Sequence, residues 1–493
     1  MSELPSGVSR RGFLQTSAAA TAAAAVSSPA RAKPASANGK LRLGFIGVGD
    51  PRGARCTKHL KSAGTLQNED QTVEIAAVCD VFNRYLDDSG KFVEKMVGAA
   101  PTKTGDYRDI INDPSIDAVV ISTPDHWHAK QTIDALKAGK HVYCEKPMTH
   151  TVEEALDVHK AWKESGLVMQ VGVQSTSLPV WGKINEGINA GKLGKVLMYQ
   201  SEFFRNSDEG QWRYYDLARD MTPTNIDWNM FLGTEFGLAP SMPFDRAKFA
   251  QWRCYWDFGS GMFTDLFVHR TTSMLLATGL RFPARVVGAG GIYLEYDGRD
   301  VPDVASVIAD FDEGVQGMIT ATMSSGNTPI KQTIRGHHGA AVLGTGESFT
   351  GYDFVAERPQ VTRDSKIKDE RVEVGGVKDS SFNHFKNFVD SALAGAPDAV
   401  NCSPELGAAA MVIVKLGAKS YREGKVFRFD KDKMAYSDAN GTWAPRWEER
   451  SQSRGDASHV PGWAAGDTGS KLIPEEWQKL EGPWVDGVDP AAG

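Results

Sequence analysis

Residues 41–53 read LRLGFIGVGDPRG, an apolar run that stops at glycines, as a buried parallel strand does. The next residues, ARCTKHLKSAG, predict a helix, with Asp50 as its N-cap and Pro51 at its first position. Glycines at 47, 49 and 53 permit a tight turn and let backbone N–H groups approach a pyrophosphate at a helix N-terminus. The spacing departs from G-x-G-x-x-G by one extra residue before Gly53. A carboxylate at Asp50 is unhelpful beside a phosphate, and Arg52 is placed to offset it. Alone, this stretch also fits a plain strand-to-helix turn.

The strand that follows favours the nucleotide reading. VEIAAV (73–78) ends in Cys79-Asp80, where a carboxylate can accept both ribose hydroxyls of an adenosine. The polar insertion SAGTLQNEDQT lengthens the connection beyond its usual span of about 20 residues. Asp80 would repel a 2′-phosphate, so NAD is expected over NADP; Arg84, one turn on, keeps NADP open. Two more strand-and-turn units follow. DAVVI (117–121) leads into STPDHWH and a helix, and HVYC (141–144) leads into Glu145-Lys146-Pro147 and another helix. Strands and helices alternating at this length predict an α/β fold with a parallel, doubly wound sheet. Ligands sit beyond the carboxyl ends of such strands, which marks Ser122, Thr123, Pro124, His128, Glu145 and Lys146. Gln174, ending the next strand, joins that group. His126 and His128 read as part of a polar loop, since an H-x-H pair without a third ligand is no metal site.

GFIGVG, Asp80, STPDHWHA and GKHVYCEKP together resemble the Gfo/Idh/MocA family of sugar-type oxidoreductases, from about Leu41 to about Asp430. The resemblance implies a Rossmann nucleotide-binding domain followed by an α/β domain built on an open, mainly antiparallel sheet. That sheet commonly makes the oligomer contact, so a homo-oligomer is expected. The expected boundaries are a nucleotide domain over 40–175 and a substrate and oligomerisation domain over 176–402. A helix and strand over 403–430 return to the nucleotide domain, and a tryptophan-rich tail fills 431–493.

In the second domain, QWRCYWDFGSG (251–261) leads into MFTDLFVHRTTSMLLATG, helical by its apolar spacing. Asp265 and His269 are four apart and share one face of that helix. By itself the pair reads first as a surface acid beside a histidine. The resemblance gives it a role, mapping the family's functional lysine, aspartate and histidine to Lys146, Asp265 and His269. A secondary alcohol then loses its proton to His269, which titrates near neutral pH, while Lys146 holds the hydroxyl oxygen. Asp265 orients the imidazole or binds a neighbouring hydroxyl. Arg253, Tyr255 and Trp256 offer aromatic faces beside a charged fork, suited to a polyhydroxylated ring; a packed hydrophobic corner is the alternative. Arg205 and Trp212, from a long polar loop, are further candidates.

The ends of the chain carry other signals. SRRGFLQ (9–15), an alanine-rich stretch and Ala30-Arg31-Ala32 resemble a twin-arginine signal peptide over 1–32. The chain holds 55 basic and 62 acidic residues, a net charge of −7 that offers no footprint for nucleic acid. Its 5 cysteines are scattered, without CxxC or metal-like spacing, which fits folding in a reducing compartment before export. The tail beyond Asp430 is rich in Gly, Pro and Ser and predicts little regular structure. It nevertheless carries Trp443, Trp447, Trp463, Trp477 and Trp484, so it is expected to wrap its own domain or a neighbouring subunit. A periplasmic enzyme using NAD must leave the cytoplasm through the twin-arginine machinery already folded around its cofactor. These readings converge on an exported oxidoreductase for a sugar or glycoside with a tightly retained NAD. A glycosidase that oxidises, eliminates, adds water and re-reduces, and a non-catalytic binding protein, are the other readings.

Overall fold

The structure, a computed structural model, describes residues 39–344, 349–357 and 367–452. The signal-like segment and the tail beyond 452, with Trp463, Trp477 and Trp484, lie outside the described residues. Among the described residues the chain builds a sheet of 6 strands and a sheet of 10. The first sheet contains β1 (Leu41–Ile46), β2 (Val73–Cys79), β3 (Thr102–Thr104), β4 (Ala118–Ile121), β5 (His141–Glu145) and β6 (Met169–Gly172). Its order is β3-β2-β1-β4-β5-β6 and every pairing is parallel. β1, β4 and β5 are apolar and almost wholly buried because helices cover both faces. Strand order reverses between β1 and β4, which opens a crevice beyond their carboxyl ends.

The second sheet contains β7 (Val196–Glu202), β8 (Arg285–Gly291), β9 (Val304–Phe311), β10 (Val315–Thr322), β11 (Thr333–Gly336) and β12 (Gly339–Val342). It is completed by β13 (Gly351–Ala356), β14 (Glu370–Glu373), β15 (Phe427–Asp430) and β16 (Ala435–Asp438). The order is β14-β13-β12-β11-β7-β10-β9-β8-β15-β16, antiparallel except for the parallel β7–β10 pair. Buried and less buried residues alternate along β10, so one face meets the core.

Several local expectations change. The first helix begins at Arg55 with Ala54 as its N-cap, not at Asp50-Pro51. Residues 50–53 form a separate turn in which the Asp50 carbonyl accepts from the N–H groups of Gly53 and Ala54. The polar insertion continues that helix as a π-helical turn, Leu66–Asp70. His126 and His128 are not on a polar loop: Asp125–Lys137 is a helix whose first turn is buried. The helix Ser380–Ala394, expected with the second domain, sends Phe385, Phe388 and Val389 into the core of the first sheet. Helix Pro404–Glu423 packs against both β8 and the Val152–Ser165 helix, while β15 joins the second sheet. The tail starts with regular structure, β16 and the helix Trp443–Gln452. Trp443 lies 5.2 Å from the Arg285 guanidinium and Arg446 pairs with Asp312, so this part packs on its own sheet.

The Pro404–Glu423 helix approaches the second sheet backbone to backbone. A Cβ at Gly288 would lie 2.0 Å from the Gly417 carbonyl oxygen. Gly288→Ala should therefore cost about 1–3 kcal/mol by overpacking. Gly182→Ala, with nothing within 4 Å of the new Cβ, should stabilise its helix by about 0.5–1 kcal/mol. Thermal denaturation of the two variants checks the contrast, and equal melting temperatures would refute the close packing.

Candidate active site

β1 delivers its glycine loop to the crevice in a fixed shape. Gly47 (φ 79°) donates to the Cys79 carbonyl at 2.9 Å, and Gly49 (φ 62°) donates to Asp80 Oδ2 at 2.8 Å. Both sit in the left-handed region that glycine occupies without strain. A Cβ at Gly47 would stand 2.7 Å from the backbone nitrogen of Thr123, so the loops after β1 and β4 meet only because this residue is glycine. Asp80 Oδ1 accepts from Phe82 N at 3.0 Å, and burial pushes the Asp80 carboxyl up to about 6.

A cavity of about 1250 Å³ runs along these loops. Its wall includes Gly47, Gly49, Arg52, Gly53, Asp80, Ser122, Thr123, Pro124, Glu145 and Lys146. These residues fit a dinucleotide: bare glycine backbone lies at one end, an acidic acceptor beside it, and the volume matches an extended ligand. Arg52 is bound to Asp50 and largely exposed. Arg84 pairs with Asp220 at 2.6 Å and stacks on Phe82, so its charge is already engaged and does not stand ready for a 2′-phosphate.

His128 and Gln174 do not line the cavity. The His128 ring lies between the carbonyls of Pro147 (2.6 Å) and Thr123 (2.8 Å), stapling the two strand-end loops together. Gln174 donates to Glu145 Oε1 at 3.1 Å and to the Gly172 carbonyl. Glu145 is buried; burial alone would raise its carboxyl, but Arg55 and His59 hold it well below the usual range.

At the other end of the cavity the two domains meet. Lys146, on the turn after β5, donates from Nζ to Asp265 Oδ1 at 2.7 Å and to the Asp265 carbonyl at 3.0 Å. Arg253 Nε donates to the same Oδ1 at 3.0 Å, and Trp212 Nε1 donates to Oδ2 at 2.9 Å. Burial opposes ionisation of Asp265, yet Lys146 and Arg253 hold its carboxyl well below the usual range. The expected continuous helix is interrupted at Leu266, between Met262–Asp265 and Phe267–Thr278. Asp265 consequently turns to Lys146 instead of orienting the His269 imidazole.

His269 lines the cavity with its ring 6.0 Å from that of Phe203. Burial, then the charges of Lys146 and Arg55, hold its imidazole well below the usual value. It does not titrate near pH 7, as its residue type suggested, but stays neutral there. Arg253 also lies on the cavity wall, its guanidinium 4.1 Å from the Trp252 ring. Tyr255 and Trp256 do not. Trp256 donates to the backbone and side chain of Asp300 through its indole and backbone N–H groups and packs near Phe263. Tyr255 packs with the Phe82–Phe258 aromatic cluster.

Sequence reasoning missed Asp125. It lines the cavity, accepts from Thr264 Oγ1 at 3.0 Å, and burial pushes it up to about 7. Its place, first in a helix after a strand-end proline, was the available signal. Trp212, a weaker candidate, turns out fully buried with a φ of 66°, an unusual conformation for a non-glycine residue.

Residues 41–173 match the Gfo/Idh/MocA oxidoreductase family's NAD-binding Rossmann fold, and 236–342 match the GFO/IDH/MocA C-terminal domain. A glycosyl hydrolase family 109 protein of Shewanella pealeana is 31% identical over 192 residues, 36% of this chain and 40% of that protein. A levoglucosan dehydrogenase of Pseudarthrobacter phenanthrenivorans is 36% identical over 103 residues, 21% of this chain and 26% of that protein. The chain thus spans less than half the length of these curated relatives. The WlbA dehydrogenase of Bordetella pertussis, solved with NADH and UDP-GlcNAcA, superimposes with a TM-score of 0.56 at 20% identity. That alignment covers 78% of this chain and 98% of the other, a likeness of fold.

If Asp80 receives the ribose of the nucleotide, affinity should depend on pH. Ribose hydroxyls would donate to the ionised carboxylate, so binding there would favour loss of the proton that burial holds on below about pH 6. Affinity should be full above that value and fall by up to about tenfold per pH unit below it. Asp80→Asn should bind more weakly and lose the dependence. Titrations of NAD between about pH 7.5 and 5 check this, and a flat wild-type profile would refute the assignment.

Proposed function

Because this chain belongs to the Gfo/Idh/MocA oxidoreductase family, we propose that it oxidises a secondary hydroxyl of a sugar or sugar derivative with NAD held in the glycine-lined cavity. The observation that carries the reading is the convergence of Lys146, Asp265 and His269 on the wall that also presents Gly47, Gly49 and Asp80. Bound NAD supplies the hydride acceptor. Neutral His269 takes the hydroxyl proton on its ring nitrogen. Lys146, anchored by Asp265, presents a cation to the hydroxyl oxygen as negative charge develops there. Asp265 serves as the anchor, since its oxygens already accept from Lys146, Arg253 and Trp212.

The similarity to a glycosyl hydrolase family 109 protein favours a second reading, in which the same oxidation is transient. A ketone beside a C–H acidifies it, the aglycone is eliminated, water adds, and the hydride returns, so the balance is hydrolysis. Nitrophenyl glycosides separate the readings. Release without an electron acceptor supports the glycosidase, and acceptor-dependent turnover supports the oxidoreductase. Inactivity in both arms against a broad sugar panel would refute both.

Export through the twin-arginine route belongs to the proposal and rests on SRRGFLQ. It requires a retained cofactor, and a segment of the second domain supports retention. Asp227 N donates to the Val81 carbonyl at 2.9 Å, Asn83 N donates to the Asn225 carbonyl at 3.0 Å, and Asp220 holds Arg84. Residues 215–219 of this segment lie on the cavity wall. A homo-oligomer is also proposed, supported by the exposed apolar side chains Leu197 on β7 and Val355 on β13.

His269→Ala and Lys146→Ala should each lower turnover by about 10²–10⁴ while nucleotide content stays near wild type. Arg253 and Trp212 keep Asp265 compensated in the lysine variant. Near-normal turnover in His269→Ala between about pH 6 and 8 would overturn the base assignment. Protein purified without added nucleotide should release about one NAD(H) per chain on denaturation. Asp220→Ala should lose NAD(H) several-fold faster during dialysis. Equal loss rates would remove the segment from any role in retention.

A further inference from the structure

The reaction end of the cavity holds a guanidinium that no carboxylate pairs with among the described residues. Lys146 and Arg253 share the single carboxylate of Asp265. Arg205 lines the same cavity just beyond β7, and it and Arg253 both act on Tyr214. Its guanidinium lies 4.9 Å from the centre of the Phe203 ring, and that ring is 6.0 Å from the His269 imidazole. Arg205 is thus one aromatic ring away from the proposed base. Arg52 pairs with Asp50, Arg84 with Asp220, and Arg213 and Arg299 with Asp297, whereas Arg219, also on the wall, makes no ion pair among the described residues. Among the described residues no carboxylate pairs with Arg205. Of the other acids on this wall, Asp125 is pushed up to about 7 by burial, Glu145 is held by Arg55 and His59, and Asp216 makes no ion pair among the described residues.

A half-buried guanidinium set over an aromatic face keeps its planar fork free for a bidentate anion, and such charge-assisted pairs are the strong ones. Tyr214 and Tyr215 flank the same wall, with ring centres 4.9 Å apart, and Arg253 lies 5.4 Å from Tyr215. Aromatic faces beside a fork suit a sugar ring bearing a charge.

We propose that the substrate is an anionic sugar whose acidic group is received by Arg205, next to the Lys146–His269 reaction centre. The anion can be a carboxylate on the ring or a phosphate on the sugar. This assignment rests on the sugar-oxidising reading of the cavity, and binding is measured apart from turnover so that the two can fail separately.

The test uses the full chain with its nucleotide. Tryptophan fluorescence reads binding of glucuronate and galacturonate, of glucose 1-phosphate and galactose 1-phosphate, and of glucose and galactose. Reduction of bound nucleotide reads turnover. An acidic sugar should bind about tenfold or more tightly than its neutral counterpart. The arm that does so distinguishes carboxylate from phosphate. In Arg205→Gln that ratio should collapse, and Arg205→Lys should restore part of it; melting temperature and nucleotide content show that both variants are folded. Equal affinities in the wild type, or a ratio unchanged in Arg205→Gln, would overturn the assignment. Selective binding of the acid without turnover would leave it standing and count instead against the oxidation chemistry.

Discussion

The ion pair between Lys146 and Asp265 is where the two domains become one site. The lysine comes from the end of a strand in the parallel sheet, and the aspartate from a helix of the second domain. Their side chains are only 7% and 15% exposed. Removing two charges from water is costly, and deleting one partner of such a pair typically costs about 3–5 kcal/mol because the other is left uncompensated. The surroundings reduce that cost by saturating Asp265 with donors from Lys146, Arg253 and Trp212. The break at Leu266 and the left-handed backbone at Trp212 are local departures from regular structure that accompany this arrangement. Strain of that kind persists where the surrounding contacts over-determine it.

The same pair sets the protonation of its neighbours. An imidazole buried beside a lysine and near an arginine is kept neutral, which leaves His269 able to accept a proton across the physiological range. The depressed value also makes it a weak base in the free protein. In the proposed reaction its strength would depend on Lys146 pairing its charge with the substrate oxygen, which would weaken the repulsion that keeps the ring neutral. On that proposal acid and base would be coupled through one cation, with Asp265 acting as the anchor for Lys146.

Much of this was legible in the sequence because the signals were local. An apolar strand ending at Gly47, an acidic residue at the end of the next strand and EKP after a buried strand each encode their own conformation, so the parallel sheet and its crevice could be read directly. The misreadings arose where a second element decided the outcome. Asp50-Pro51 has the composition of a helix start, but the 50–53 turn satisfies the Asp50 carbonyl first. His128 lies in the first turn of the helix after β4 and Gln174 just past β6, and their polar atoms are consumed by Pro147, Thr123 and Glu145. Tyr255 and Trp256 lie next to Arg253 in the chain, but alternation around a short turn sends them into other packing. Nothing local to Ser380–Ala394 shows that its phenylalanines belong with His59 and Tyr143 in the first core.

The packing over the cavity would make the proposed cofactor retention and domain packing one property. Phe82, from just beyond β2, lies in a small core with Met221, Ile226, Phe231 and Phe249 of the second domain. This core stands directly past Asp80, where the adenosine end of a dinucleotide would rest. A dinucleotide in the cavity would be enclosed between glycine backbone on one side and this segment on the other. Release would then require separating buried aromatic surface and the Arg84–Asp220 pair, along with breaking the ligand's own contacts. Apolar area removed from water is worth about 25 cal/mol per Å², so parting even a few aromatic contacts adds appreciably to the barrier. A rate of loss set by the opening of packed protein can be slow even where the intrinsic affinity is ordinary. If the chain is exported as proposed, slow loss would matter more to it than tight equilibrium binding.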